Sequence, residues 1–366
     1  MSGPRTIPAD VVCLEDYERH FLAGADPALA AYVLGSAGDG ETRRANRAAF
    51  RRHVLMPRAL ADVRAGSVAT TLFGRPMAAP VIIAPTAFHR LVDPAGEIAT
   101  VQAAAATDTW MCVSLEASVA LEEVAAAAAA PLWMQLCLRP RRAETLALVR
   151  RAEAAGYAAL VVTVDAPVSG LRNQQQRTGF RLPPGIVAAN LAGFPPDDPL
   201  PATGSPVFQG LMARAPGWAD IAWLVGETRL PVVLKGLLNP LDVAPALAAG
   251  AAGLIVSNHG GRTLDGLPAS LDALPGVVAA VAGRVPVLMD GGIRRGTDIV
   301  RALALGAAAV LVGAPVMAAL AVGGAAGVAH VMTILRGELE IALALLGRDS
   351  PAALDRSVLA ERPPPG

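Results

Sequence analysis

One lysine, Lys235, stands among thirty arginines in this 366-residue chain. It lies in RLPVVLKG, at the end of an apolar run that reads as a buried strand. An ammonium is a compact point charge, whereas a guanidinium is a wide planar fork. A position that keeps lysine in such a composition reads either as a functional cation or as a residual surface lysine. A second group of residues is SNHGGR, residues 257–262. Of five histidines, His259 alone falls at a predicted strand end with glycines and an arginine just beyond it. Asp165, at the end of TVD, could orient that imidazole and raise its basicity, as a carboxylate–imidazole pair does. Arg262 and Arg172 would then offer two guanidinium forks to a carboxylate. A third group is DGGIRRGTD, followed later by VGAP. Glycines there let backbone N–H groups approach an anion, and Arg294 or Arg295 adds charge, so a phosphate is the expected occupant. Glycine-rich turns also close folds without any ligand.

These residues need elements to bring them together. From about residue 80, eight β-rich runs alternate with alanine-rich helical stretches: PVIIAPT, WMCVS, LWMQL, AALVVTVD, PVVLKG, GLIVSNHG, VPVLMDGG and AAVLVG. They are continuously apolar rather than alternating, as parallel strands covered on both faces are. Gly156, Gly250 and Gly306 close helical stretches, and Asp298 suits the positive end of the seventh helix. Eight regular units predict an α/β fold, a closed (β/α)8 TIM barrel, over an open doubly wound sheet. Ser114, Gln135, Thr163, Asp165, Lys235, Ser257, Asn258, His259 and Asp290 then share the C-terminal mouth, where barrel enzymes place their chemistry. The chain reads as a single domain, 1–366, with the barrel at about 80–350 and a helical lead-in before it. Residues 170–229, with FRLPPG and GFPPDDPLPATGSP, read as a long loop after strand four, over the mouth. The tail after Ser350, ending ERPPPG, reads as frayed.

Composition excludes some classes. Formal charge is balanced, which gives a nucleic-acid partner no electrostatic support. Cys13, Cys112 and Cys137 have neither metal-ligand spacing nor a disulfide framework, which suits a reducing compartment. The N-terminus lacks a signal-peptide core. The apolar stretches are broken by Gly306, Gly313 and Pro315 before they reach a membrane span. The expectation is a cytoplasmic protein without a membrane segment or bound metal.

The segments together resemble the FMN-dependent 2-hydroxy-acid oxidase and dehydrogenase family, which includes glycolate and lactate oxidases and mandelate dehydrogenase. The resemblance runs from Tyr32 and ANRAAF through PRALADV, APTA, PAGE, TVDAPVSGLR, LPVVLKG, GLIVSNHGGR and DGGIRRGTD. It implies the same barrel, FMN as cofactor, a homotetramer, and oxidation of a small 2-hydroxy acid with O2 or another electron acceptor. It makes His259 the base, Asp165 its partner, and Arg172, Arg262 and Tyr32 the substrate-binding groups. Pro85, Thr86, Ala87, Ser114, Gln135 and Thr163 would hold the flavin ring and ribityl chain. Ser257 joins them, and Asp290, Gly291, Gly292, Arg294 and Gly313 would hold the ribityl and phosphate end. Lys235 would lie against the part of the ring that gains negative charge on reduction, which a fixed ammonium stabilises.

Three positions depart from the family pattern. QLCL places Cys137 where the family has a tyrosine, which enlarges the pocket and weakens a hydrogen-bond donor. Glu116 replaces the tryptophan of glycolate oxidases; facing the cavity, it would favour an amine or hydroxyl on the substrate. Ala314 replaces an arginine near the phosphate. These departures point to a 2-hydroxy acid larger than glycolate, aromatic or amine-bearing, of the kind met in secondary metabolism. Competing readings are another FMN reaction such as an isomerisation, and a non-enzymatic flavin-binding relative. Replacing Lys235 by Met should slow flavin reduction, followed by stopped-flow, much more than it weakens flavin retention. Equal loss of both would overturn the role given to the lysine.

Overall fold

In the computed structural model, which describes residues 5–361, the eight predicted runs form one closed parallel barrel. Its strands are β1 (Val81–Ile83), β2 (Trp110–Val113), β3 (Leu132–Leu136), β4 (Ala159–Thr163), β5 (Val232–Leu237), β6 (Gly253–Val256), β7 (Val287–Asp290) and β8 (Ala309–Val312). Each is followed by a barrel helix: α1 (Glu97–Ala106), α2 (Leu121–Ala126), α3 (Arg142–Ala154), α4 (Trp218–Glu227), α5 (Val243–Ala248), α6 (Ser270–Val281), α7 (Gly296–Ala304) and α8 (Ala314–Leu345). The strands read as continuous apolar runs because both faces are buried. Ile82, Trp110, Trp133, Val161, Val233, Ile255, Leu288 and Leu311 fill the barrel interior. Their chain neighbours Ile83, Met111, Met134, Leu160, Leu234, Leu254 and Met289 pack outward against the helices. At the N-terminal end, the hairpin of Thr70–Leu72 and Arg75–Met77 closes the barrel with Leu72 and Met77. Phe73 lies 5.8 Å from the Trp133 ring.

The parallel register sets the site. Thr163 pairs with Lys235, and Lys235 with Ile255. The β5–β6 ladder is irregular between Lys235 and Leu237. Gly236 there has φ 115°, and a Cβ on it would stand 2.5 Å from the Cβ of Asp165. Glycine at 236 therefore lets Asp165 approach the lysine strand.

Two expectations need correction. Residues 170–229 are not one loop, because Trp218–Glu227 is barrel helix α4. Its N-terminus is fixed by Asp220, whose carboxylate accepts from Gly217 N at 2.9 Å. The preceding part does reach over the mouth: Phe180 stacks on Tyr32 at 4.4 Å, and buried Asn190 donates to the carbonyls of Ser114 and Leu115. The stretch after Ser350 is not frayed as far as Glu361. Leu359–Glu361 pairs antiparallel with His53–Leu55, and Met56 N donates to Val358 O at 2.9 Å. Residues 362–366 lie outside the described part.

The lead-in holds helices Leu14–Gly24, Pro27–Val33 and Glu41–Arg52 along with short strands. Among the described residues, α8 alone is long and apolar enough to cross a membrane. It is the eighth barrel helix, kinked at Gly324, with Val316, Leu320, Val331, Leu335 and Leu339 in the core. Helix Glu41–Arg52 is tied to the barrel by Asp265, whose carboxylate accepts from the N–H groups of Asp39, Glu41 and Thr42. Burial raises its pKa, but these bonds outweigh that and hold it at about 2. Its contribution is therefore complete above the ordinary value of 3.8 and is lost as pH falls toward about 2. Asp265→Ala should cost about 0.5–2 kcal/mol near neutral pH, by analogy with a lost helix cap. In thermal unfolding the gap to the parent protein should narrow through that acid window; a pH-independent gap would refute the assignment.

Candidate active site

The C-terminal mouth of the barrel holds a cavity of about 240 Å³, enough for part of a sizeable organic ligand rather than a lone ion. Lys235 forms its floor. The residue is 4% exposed. It lies 3.0 Å from Asp290 Oδ2 and donates to Ser257 Oγ at 3.0 Å. Burial pulls its pKa down, but the carboxylates of Asp290 and Asp165 outweigh this, so it stays charged. Ser257 Oγ also accepts from the backbone N–H of His259 at 3.0 Å. One hydroxyl thus joins the floor to the histidine loop.

His259 adopts a left-handed φ of 57°, unusual for a residue with a side chain. Its Nδ1 is 3.0 Å from Asp165 Oδ1. Burial raises the Asp165 pKa, but the bond to His259 and the charge of Lys235 override it, and the group stays ionised. An ionised carboxylate only accepts, so in the neutral ring Nδ1 carries the proton and Nε2 presents a lone pair. Among the described residues Nε2 has no hydrogen-bond partner, and His259 lines the cavity. The imidazole is therefore a carboxylate-backed base open to a ligand.

Arg262 is held from behind. Nη1 donates to Gly35 O at 2.8 Å and Nη2 to Tyr32 O at 2.7 Å, with a longer contact from Nη1 to Val33 O. Burial, with the nearby Arg172 charge, lowers its pKa to about 10, so it remains a cation near neutral pH. Its Nε has no partner among the described residues and is left to an anion. Arg172 reaches the same region from the loop after β4 and donates from Nε to Arg262 O at 3.4 Å. Tyr32 lies beneath the Arg262 guanidinium at 5.9 Å. Burial and the Glu116 charge both push its phenol pKa up, so it stays a donor.

At the other end are Pro85, Thr86, Ala87, Asp290, Gly291, Gly292, Arg294 and Gly313. Asp290 Oδ1 is buried and has no hydrogen-bond partner among the described residues. Such an orphaned acceptor in a cavity wall suits a ligand hydroxyl. Arg294 lines this end but is already engaged, with Nη2 2.6 Å from Glu18 Oε1 and Nη1 donating to Ile293 O. Arg295 points away to Glu338. Ser114, Gln135 and Thr163 stand outside the cavity lining. They form a buried file in which Ser114 Oγ donates to Gln135 Oε1 and Gln135 Nε2 donates to Thr163 Oγ1. Cys137 Sγ accepts from that same Nε2 at 3.7 Å. Cys137 too stands outside the cavity lining; burial raises its thiol pKa, with Glu116 adding to it, which keeps it neutral rather than an activated nucleophile. Glu116 is exposed and lines the cavity.

Comparison with known proteins decides the family. The FMN-dependent dehydrogenase family matches residues 24–361. The chain belongs to this family. L-lactate oxidase of Alicycliphilus denitrificans is 48% identical over 95% of this chain and 96% of its own. Human 2-hydroxyacid oxidase 1 is 39% identical over 96% of this chain and 97% of its own. A solved structure of mandelate oxidase with (S)-2-phenylpropionate superposes with a TM-score of 0.87 at 39% identity, covering 96% and 98%. The cofactor of this FMN-dependent 2-hydroxy-acid oxidase family is FMN. The residues here fit it: an orphaned acceptor for a ribityl hydroxyl, a buried ammonium, and glycines at the ends of β7 and β8.

Arg43, Asn46 and Arg47 received no role from sequence alone, although ANRAAF is part of the resemblance; helix Glu41–Arg52 brings all three into the cavity wall. The available signal was an asparagine within an arginine-dense helix. Asn46 is 2% exposed and exchanges two amide hydrogen bonds with Asn258, at 2.9 and 2.8 Å. Asp165→Asn should lower kcat by about 10²–10⁴-fold with little change in KM, because it removes the group that fixes the imidazole tautomer. Steady-state kinetics that showed a KM effect alone would remove Asp165 from this role.

Proposed function

We propose that the protein oxidises an (S)-2-hydroxy acid to the 2-oxo acid and passes the two electrons to O2, giving H2O2. The observation that carries this reading is the open Nε2 of the Asp165-backed His259, placed in one cavity with Arg172, Arg262 and Lys235. A substrate carboxylate fits the free Nε edge of Arg262 and the Arg172 guanidinium, and the Tyr32 phenol is available as a further donor. This orientation presents the hydroxyl-bearing carbon to His259. His259 Nε2 takes a proton, and the ionised Asp165 stabilises the resulting imidazolium. Bound FMN supplies the two-electron acceptor. The Lys235 ammonium, dry and already charged, supplies fixed positive potential at the cavity floor without reorganising. The substrate loses two protons and two electrons, which together reduce one O2 to one H2O2.

The relatives' names span lactate and mandelate, so family membership leaves substrate size open. Two residues support a larger acid. Cys137, outside the present lining, is small and neutral, and Glu116 adds a carboxylate in the lining that disfavours a second substrate carboxylate and attracts an ammonium or hydroxyl. We assign the substrate to 2-hydroxy acids with an aromatic or amine-bearing side chain. Anaerobic mixing with glycolate, lactate, mandelate and amine-bearing 2-hydroxy acids, followed by admission of oxygen and peroxide assay, tests both parts. The expected result is fastest flavin bleaching by an aromatic or amine-bearing acid, with stoichiometric peroxide. Glycolate as the best substrate would defeat the size assignment, and bleaching without peroxide would defeat the acceptor. Glu116→Gln should reduce kcat/KM for an amine-bearing acid by about 2–5-fold, the scale of one exposed charge pair, and leave lactate nearly unchanged.

A further inference from the structure

Five arginines line the cavity: Arg43, Arg47, Arg172, Arg262 and Arg294. Among the described residues, four have hydrogen-bond or ion-pair partners for their guanidinium groups. Arg47 serves Gly292 O, Asp298 and Glu15. Arg294 serves Glu18, and Arg262 and Arg172 sit at the histidine end. Arg43 has neither an ion pair nor a side-chain hydrogen bond there, although the cavity wall includes it.

Its place on the chain is well fixed. The Arg43 backbone nitrogen would lie 2.8 Å from a Cβ on Gly261, after β6. One turn later the Asn46 carbonyl oxygen would lie 2.6 Å from a Cβ on Gly292, after β7. The helix therefore runs from the histidine loop at Gly261 across to the glycine loop at Gly292. Its charge is felt at both ends: burial lowers its pKa, Glu18 opposes this and Arg294 adds to it, while Arg43 in turn helps lower the pKa of Arg262.

A phosphate monoester carries roughly −1.5 to −2 charge near neutral pH. At the glycine end, the charge of Arg294 is already met by Glu18, that of Arg295 by Glu338, and that of Arg47 by Glu15 and Asp298. A dianion entering there needs a cation that is not already neutralised. We propose that Arg43, from the lead-in helix, supplies a guanidinium to the phosphate of FMN. The proposal rests on the FMN dependence of the family and not on the substrate assignment.

Riboflavin lacks the phosphate, so it separates an electrostatic grip from general support of the fold. The full-length protein is stripped of flavin and titrated with FMN and with riboflavin, following quenching of flavin fluorescence. In Arg43→Leu, FMN affinity should fall about 10–100-fold, the range of a hydrogen bond to a charged group, while riboflavin affinity stays within about 2-fold of the parent protein. Arg43→Lys, which keeps the charge but loses the fork, should recover part of the preference for FMN. Equal weakening of both flavins would make Arg43 a structural residue, and unchanged FMN affinity would remove it from the phosphate site; either result overturns the proposal. If Arg43→Leu fails to fold by circular dichroism, Arg43→Gln carries the same test with the same outcomes.

Discussion

A buried ammonium has to be paired, and this requirement organises the mouth of the barrel. Lys235 sits on the cavity floor, where an isolated charge would cost several kcal/mol. Asp290, from the end of β7, contacts it directly, and Ser257, just past β6, accepts from it. Asp165, just past β4, contributes its field. Four strand ends are thus held to one point. Each partner has a second task. Ser257 also receives the His259 N–H, Asp165 also holds the His259 ring, and Asp290 keeps one oxygen without a protein partner. Removing the lysine would leave the Asp290 carboxylate without its ion pair and the Asp165 carboxylate without its nearby cation.

The barrel does not complete the site by itself. The lead-in helix Glu41–Arg52 closes one side, and its attachment is polar. The reciprocal amide bonds of Asn46 and Asn258 are buried, and the Asp265 carboxylate caps the segment that enters the helix. Buried amide pairs of this kind are favourable only when both partners are satisfied, as they are here. The helix position is therefore specified to within a hydrogen-bond length, which is what a charged side chain reaching into a ligand cavity needs. The Gly292 approach belongs to the same constraint, since any side chain there would meet the Asn46 carbonyl.

The strands, their order of chemistry and the histidine–aspartate pair were legible in the sequence for one reason. Parallel strands buried on both faces are continuous apolar runs, and a polar residue at the end of such a run has to be accounted for. His259, Asp165, Lys235 and Asp290 stand out on that ground. Helix α4 was not legible because prolines and glycines surround it and its apolar face is short, with Ile221 and Leu224 as its buried residues. The ordered tail was not legible because three residues of strand, Leu359–Glu361, depend on a partner some three hundred positions earlier. Arg43 was hidden among thirty arginines; only the tertiary position of its helix separates it from a solvated one. The Ser114, Gln135 and Thr163 positions were legible as polar strand ends, but not their bonding to one another, which is a matter of register.

The cavity walls divide the work between fixed and variable groups. On the floor and at the histidine, each charged or ring group is positioned by another: the ammonium by a carboxylate and a hydroxyl, the imidazole by a carboxylate, the Arg262 fork by two backbone carbonyls at normal hydrogen-bond distance. The strained backbone of His259 belongs to this group, since its own N–H is held by Ser257 while its ring is held by Asp165. Changing any one of these leaves a buried partner unsatisfied. Glu116 and Cys137 are bound by no such condition. The Glu116 carboxylate is exposed, and the Cys137 thiol makes one long, weak contact. Substitution at Glu116 alters the charge in the cavity lining while the guanidinium pair and the histidine stay in place. A site built this way can change its substrate without rebuilding its chemistry.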